Sequence, residues 1–310
     1  MGVIKAICIS EKKGTQKHAV PSARLVEDWG IEGDAHAGNW HRQVSLLSLE
    51  KIDAFRARGA EVDFGAFGEN LVVEGFDFRA LPVGTRFSCG EALLEMTQIG
   101  KECHTHCNIY KVVGDCIMPR EGVFARVLRG GALTVGDELT LIPRAADAAF
   151  RAAVVTLSDK GFRGARADES GPILREMLQT AGYEVVEEVL LPDERSRIET
   201  ELIRLADGRQ CDLVLTTGGT GFSPRDCTPE ATMAVATRNA PGLAEAIRAY
   251  SMKITDRAML SRGASVLRGG TLIVNLPGSP KAAREGLECI LPSLRHGLEI
   301  LRGTTGECAR

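Results

Sequence analysis

Two stretches of this chain gather side chains capable of chemistry. KECHTHC, residues 101–107, places Cys103 and Cys107 four apart around His104 and His106, with Cys116 a short distance on. A zinc ion could draw on Cys103, Cys107, Cys116 and one of the histidines, although the spacing differs from the paired cysteines and histidines of common zinc fingers. A reactive thiolate could sit at Cys103, because Lys101, His104, His106, Arg120 or Arg126 nearby would lower its pKa and also attract an oxoanion. Otherwise the cysteines are small apolar fillers of a core.

The second stretch is TTGGTGFSPRDCTPE, residues 216–230. Gly218, Gly219 and Gly221 let the backbone approach a ligand closely and turn N–H groups toward an anion. No Gly-Lys-Ser/Thr follows, so this is not a Walker A loop. Asp226 comes directly after Arg225, and Asp193 closes another apolar run, EVVEEVLLPD. Phosphoryl and nucleotidyl transfer need positioned phosphates, a Mg²⁺ ion on hard oxygen ligands and charge stabilisation, all of which two carboxylates beside a glycine cradle can serve. Local sequence leaves two plainer roles open: a tight turn for GGTG, and a helix N-cap for Asp193 ahead of ERSRIETEL.

The elements that must position these residues fall into two rhythms. Up to residue 142 the chain reads as short strands punctuated by glycine (IKAICIS, QVSLLS, ENLVVEG, TRFSCGEALLEMTQ), with one clear helix in SLEKIDAFRARG; this predicts a mostly-β barrel-like domain over residues 1–143. Within it LPVGTRF and LTVGDEL share one turn-then-strand pattern. After PRAADAA, strands alternate with helices: AAVVTLSD, ESGPILREMLQTAG, EVVEEVLL, RIETELIRLAD, CDLVLTTGG, TLIVNLPGSP and a long last helix whose Pro292 predicts a kink or break. That alternation predicts an α/β domain over residues 150–310, with a mainly parallel sheet covered on both faces. Ligands of such sheets bind beyond the carboxyl ends of the strands, where Ser158, Asp159, Asp193, GGTG and Asn275 fall.

Composition narrows the function class. The 310 residues suffice for two cores, the formal charge is -3, and the Lys and Arg are spread rather than gathered into a stripe, which argues against nucleic acid as partner. No apolar run reaches the ~18 residues of a membrane span, and MGVIKAICIS reads as a strand rather than a signal peptide, so a cytoplasmic location is expected. Nine cysteines, an odd number, suit reduced thiols better than a disulfide framework.

The segments TLSD, SGP, LPDE, DLVLTTGGTGFSPRDCTPEAT, LSRG and TLIVNLPGSPKA, in this order, resemble the molybdopterin adenylyltransferase family over essentially all of residues 150–310. The resemblance implies an α/β three-layer sandwich, usually trimeric, that transfers AMP from Mg-ATP to the terminal phosphate of molybdopterin and releases pyrophosphate. It places the two functional aspartates on Asp193 and Asp226, with Asp226 holding Mg²⁺. Binding positions fall on Ser158, Gly218, Gly219, Thr220, Gly221, Ser261, Asn275, Gly278 and Ser279. Cys227 departs from the aliphatic residue more usual there. A related lineage of the same fold cleaves nucleotide-like pyrophosphates, and some members lack activity.

GIEGDAHAGNWHRQVSLLS, TQIGKECHTHC and GDCIMPREGVFARV resemble the MOSC domain over residues 1–143. This implies a barrel-like domain that handles molybdenum cofactor or its sulfur through a cysteine, best matched by Cys103. Gly33, Asp34, Gly38 and His41 are expected to shape a pocket near that thiol, and Arg42 to add a phosphate contact; Arg120 and Arg126 are equally open to being surface ion-pair partners. The combined expectation is a bifunctional protein of molybdenum cofactor biosynthesis in transient contact with a molybdenum insertase. A non-catalytic cofactor or molybdopterin carrier and a nucleotide pyrophosphatase are the alternatives.

Overall fold

The computed structural model of the protein describes residues 1–101, 115–145 and 147–303. It divides into two compact units, Met1–Ala145 and Ala146–Arg310.

The strands of the first unit are β1 (Gly2–Ile9), β2 (His18–Val20), β3 (Ser22–Val26), β4 (Gly30–Ile31), β5 (Val44–Ser48), β6 (Leu71–Glu74), β7 (Arg86–Cys89), β8 (Ala92–Ile99), β9 (Val123–Arg129), β10 (Gly131–Thr134) and β11 (Glu138–Ile142). They run in the order β11-β7-β8-β9-β5-β6-β1, and β11 pairs back onto β1 at Gly2↔Leu139, closing a seven-stranded barrel. Closure leaves no long open sheet edge. Farther along, the same strand β1 pairs with β2 (Ile7↔Val20), and a small sheet β10-β3-β4 completes the unit. The echo in the sequence has a structural counterpart. LPVGTRF leads into β7 and LTVGDEL into β11, which are antiparallel neighbours, and each turns through a glycine with positive φ, Gly84 at 96° and Gly136 at 99°. A side chain at either position would favour another backbone region.

The barrel interior is filled by Ile4, Leu46, Leu71, Phe87, Leu94, Met96, Ala125 and Val127, with Phe76, Phe78 and Phe87 in mutual ring contact at 5.5–5.7 Å. A second apolar cluster joins the helix Leu49–Arg56, through Ile52 and Phe55, to Met118, Phe124 and the buried Cys116. Cys116 thus fills a core.

In the second unit β12 (Arg151–Leu157), β13 (Glu184–Leu191), β14 (Leu213–Thr217) and β17 (Thr271–Leu276) are parallel, and β16 (Ser265–Arg268) and β15 (Arg238–Asn239) add an antiparallel edge, in the order β13-β12-β14-β17-β16-β15. Alternate residues face opposite ways along a strand, and the apolar runs divide accordingly. Ala152, Val154, Leu213, Leu215, Leu272 and Val274 pack with the helices Ser170–Thr180, Gly242–Met252 and Pro280–Arg302. Ala153, Val155, Val214 and Ile273 pack with Arg195–Ile203 and Thr228–Ala234 on the other face.

Pro292 does not break the last helix, which runs unbroken from Pro280 to Arg302. Pro292 is exposed, while Leu287, Ile290, Leu294 and Leu298 on either side of it are buried against the sheet. Burial of that stripe holds the helix together despite the missing N–H donor.

Candidate active site at the strand ends

Because β12, β13, β14 and β17 are parallel, their carboxyl ends meet along one edge. β12 ends at Leu157, and Ser158 caps the short helix Asp159–Phe162 by accepting from the Gly161 amide at 3.0 Å. β13 delivers Pro192 and Asp193. Asp193 does not cap the following helix, whose N-cap residue is Glu194 without a side-chain bond. Its carboxylate turns to the neighbouring strand end instead. The Asp159 amide donates to Asp193 Oδ2 at 3.0 Å, and the Asp193 amide donates to Asp159 Oδ1 at 3.2 Å.

The glycine segment after β14 is built for close approach. Gly218 has φ 104° and Gly219 has φ 62°, and a Cβ on Gly218 would overlap the Leu157 carbonyl oxygen. A Cβ on Gly219 would overlap Thr228 Oγ1 and stand 3.0 Å from Asp193 Oδ1; one on Gly221 would stand 2.9 Å from Asp226 Oδ2. Both aspartates singled out in the sequence therefore lie against glycines of one loop. Thr228 Oγ1 donates to the Gly218 carbonyl (2.9 Å), Thr217 Oγ1 to the Pro277 carbonyl (2.7 Å) and Ser170 Oγ to the Gly278 carbonyl (3.1 Å), which fixes the two strand-end loops beside each other.

A cavity of about 600 Å³ opens at this edge, lined among others by Ser158, Asp193, Gly218, Gly219, Asp226, Gly278 and Ser279. Lys160, Arg166 and Arg225 supply positive charge to the same lining, and Asp159 and Asp168 negative charge. The remaining expected positions, Thr220, Gly221, Ser261 and Asn275, are not among its lining residues. Asn275 is buried, donating to Thr216 Oγ1 and Thr232 Oγ1 (both 2.9 Å) and accepting from the Ala264 amide (3.0 Å). It joins two strands to a helix, so it shapes the loops around the cavity. Thr220 is buried, Gly221 offers its carbonyl to Arg262, and Ser261 Oγ accepts from the Gly263 amide.

Burial, together with the negative charges of Asp159 and Asp226, holds the Asp193 carboxyl above the ordinary carboxylate range. Asp159 is moved the opposite way, because Arg225 grips it with two hydrogen bonds of 2.9 Å. A concentration of carboxylates that raises one member's pKa is an environment a divalent cation relieves, and hard oxygens with few protein ligands suit Mg²⁺. Among the described residues no group of three or more His, Cys, Asp or Glu side chains is arranged to hold a metal by itself.

Sequence reasoning passed over Arg262. Its guanidinium donates to the carbonyls of Gly221 and Asp226 (both 2.7 Å) and pairs with Glu230, while its own amide donates to the Thr220 carbonyl at 2.9 Å. One side chain thus closes both ends of the loop that carries Asp226. The only signal was its place in LSRG, next to Ser261; nothing local indicates that it reaches back across 41 residues.

In the first unit Cys103, with His104, His106 and Cys107, lies outside the described residues. What surrounds the start of that segment is described. Asp34 is a fully buried hub that accepts from Lys17 Nζ (2.5 Å), the Ser10 amide (2.9 Å) and Asn70 Nδ2 (3.2 Å). His36 Nδ1 stands 3.4 Å from Lys17 Nζ, and burial with the charges of Lys17 and Lys101 lowers its pKa. His41 Nε2 is 2.9 Å from Gln98 Oε1, and the Arg42 guanidinium lies over the Trp40 ring at 4.6 Å. Lys17, whose buried pairing no local pattern announced, is the residue sequence reasoning missed here. Cys8 lies in the same region, but burial pushes its thiol up to about 12, which leaves it an inert core residue. Arg120 pairs with Asp115 (3.0 Å) and Arg126 with Glu95 (2.7 Å).

A family model described as a probable molybdopterin binding domain matches residues 131–296, and one described as the MOSC domain matches residues 33–140. The chain is 41% identical over 157 residues to the molybdopterin adenylyltransferase of Helicobacter pylori strain J99, a match spanning 48% of this chain and 86% of that protein. The chain belongs to the molybdopterin adenylyltransferase family, with a MOSC domain ahead of the family domain. It is 45% identical over 142 residues to the molybdopterin adenylyltransferase of Escherichia coli K12, covering 45% of this chain and 72% of that one. The solved structure of the molybdopterin biosynthesis enzyme MoaB from Thermus thermophilus is 50% identical, covers 50% of this chain and 97% of its own, and aligns with a TM-score of 0.48. The model of the probable molybdopterin binding domain begins at residue 131, inside the first unit. The strand pairing places the junction later, since β10 pairs with β3 and β11 with β7 and β1.

Proposed function

We propose that the second unit adenylylates molybdopterin, transferring AMP from Mg-ATP to its terminal phosphate and releasing pyrophosphate, and that it does so as a three-layer α/β domain within a trimer. The observation that carries this reading is the placement of Asp193 and Asp226 against Gly219 and Gly221 of one loop, at the mouth of a cavity lined by strand-end glycines and serines. Amides of a segment with positive φ can take phosphate oxygens, and the glycines admit them without a Cβ in the way.

Asp226, helped by Asp193, would hold Mg²⁺ through the nucleotide, and that ion would supply neutralisation of the charge on the phosphates. The chain's own residues do the rest. Ser158, Gly218, Gly219, Gly278 and Ser279 orient the phosphates, and Thr217, Thr228 and Arg262 keep the loops that bear them in place. Most of the rate gain in such a reaction comes from positioning and electrostatics rather than covalent participation. Asp193 orients its ligand in the ionised form; its raised pKa ties its charge to the presence of a cation or of Arg225.

The MOSC unit is proposed to bind the cofactor or carry its sulfur on Cys103, with the Asp34 hub and His36 near the start of that segment as support. We place the protein in the cytoplasm, in transient contact with a molybdenum insertase; among the described residues no helix is long and apolar enough to cross a membrane. Mixing the protein with molybdopterin and Mg-ATP and following pyrophosphate tests the transferase reading. Turnover is expected, and Asp226→Ala should abolish it while pterin binding stays measurable. Binding without release would instead describe a carrier. Intact mass and peptide mapping of native protein should find one added sulfur or a retained pterin at Cys103; bound zinc in its place would refute the thiol reading.

A further inference from the structure

The cavity at the strand ends has a neighbour. A second hollow of about 650 Å³ is lined by Glu194, Arg195, Ser196, Glu199, Pro224 and Cys227, and the two linings have two residues in common, Asp193 and Arg225. A transfer between two phosphorylated substrates requires two subsites that meet where the bond is exchanged. Asp193 and Arg225 are the residues that line both hollows.

Arg225 is also held in a way that allows it to move. Its side chain is 56% exposed and is docked on Asp159 through two parallel bonds of 2.9 Å, so water can solvate the guanidinium as it changes partner. Asp159 would keep a partner if the arginine left, because it also accepts from the Asp193 amide at 3.2 Å. The planar fork that fits a carboxylate fits two phosphate oxygens equally well. The main chain at Arg225 is meanwhile fixed: its amide donates to Ser223 Oγ, and Asp226 beside it is bonded to the Ser223 amide and carbonyl. Only the side chain needs to swing.

We infer that Arg225 is a catalytic residue of the transfer, exchanging its Asp159 partner for the phosphate oxygens of the bound substrates. This rests on the adenylyl-transfer reading. In the step itself an oxygen of the pterin's terminal phosphate forms a bond to the α-phosphorus of ATP. The bond from that phosphorus to the α–β bridging oxygen breaks, and pyrophosphate leaves with its electron pair. Negative charge grows on the non-bridging α-oxygens and the bridging oxygen, and a guanidinium brought to them stabilises it more in the transition state than in the ground state.

The test compares Arg225→Gln, Asp159→Asn and the double variant in the full-length protein, by steady-state pyrophosphate release and by calorimetric titration with inorganic pyrophosphate in Mg²⁺. If Arg225 acts on phosphate, Arg225→Gln lowers kcat about 100-fold or more. It also weakens pyrophosphate binding. Asp159→Asn, which frees the arginine, tightens pyrophosphate binding and lowers the KM for ATP. If the pair is only a structural latch, the two single variants lose the same activity and the double variant loses no more than either; that result overturns the inference. Pyrophosphate binding that depends on Arg225 in a protein without adenylyl transfer would support the Arg225 role as a phosphate ligand while refuting the transferase reading.

Discussion

Replacing Arg262 with alanine should cut turnover by tens of fold while leaving the sheet intact. The guanidinium donates two hydrogen bonds of 2.7 Å to main-chain carbonyls of the 221–226 loop and pairs with Glu230. Hydrogen bonds from a charged donor contribute about 1.5–3 kcal/mol each when shielded from water. The side chain is 32% exposed, so water recovers part of the loss, and about 2–3 kcal/mol of loop stabilisation is the appropriate figure for the whole clamp. At about 1.4 kcal/mol per factor of ten, this is about a 30- to 150-fold shift away from the loop that holds Asp226 in place. Initial-rate pyrophosphate release, with ATP and molybdopterin each varied, reads the effect. Arg262→Lys should fall between the two proteins, because one ammonium cannot span both carbonyls and Glu230. Circular dichroism and thermal unfolding establish that the fold persists. Wild-type kcat and KM in a correctly folded Arg262→Ala protein would refute the clamp.

Further expectations concern the same loops and the barrel. Gly218→Ala forces a Cβ into the Leu157 carbonyl from a backbone at φ 104°, so thermal unfolding should come several degrees lower; an unchanged midpoint would mean the loop is not held there. The acid limb of kcat/KM against pH should lie above the usual carboxylate range, because Asp193 is raised by burial and by Asp159 and Asp226. In Asp159→Asn it should move to lower pH, since one of those negative charges is gone; a limb that stays put would exclude Asp193 as its source. Lys17→Met leaves the buried Asp34 carboxylate without its cation and should destabilise the barrel by about 3–5 kcal/mol. Urea unfolding followed by tryptophan fluorescence reads that unit alone, as both tryptophans, Trp29 and Trp40, belong to it. Glu69 is pushed up to about 7 by burial, so its unfolded form ionises before its folded form does. Its contribution is therefore complete below pH ~4.5 and diminishes as pH rises to ~7, by up to about 3 kcal/mol. Glu69→Gln should flatten the barrel's stability between pH ~4.5 and ~7, and an unaltered slope would assign it elsewhere.

How much of this was legible beforehand follows from which interactions are local. The continuous apolar runs in AAVVTLSD and TLIVNL, and the glycines in LPVGTRF and LTVGDEL, specify strands and turns through neighbours in the chain, and those elements appear where the pattern puts them. Parallel strands ending in polar residues likewise dictate one shared edge, so Ser158, Asp193, Gly218 and Asp226 could be nominated together as candidates. What the sequence could not decide was anything set by long-range geometry. Whether Asp193 caps a helix or faces Asp159 depends on where β12 lies beside β13. Asn275 could be nominated from its motif, but its hydrogen bonds to Thr216 and Thr232 are supplied by the fold alone. Pro292 should have interrupted a helix in isolation, but the buried leucines around it outweigh the missing hydrogen bond. The Arg262 clamp, the Arg225–Asp159 pair and the Lys17–Asp34 pair join positions 17 to 66 residues apart. Their partners are chosen by the fold, because a charged side chain's energy is set by what surrounds it once water is removed.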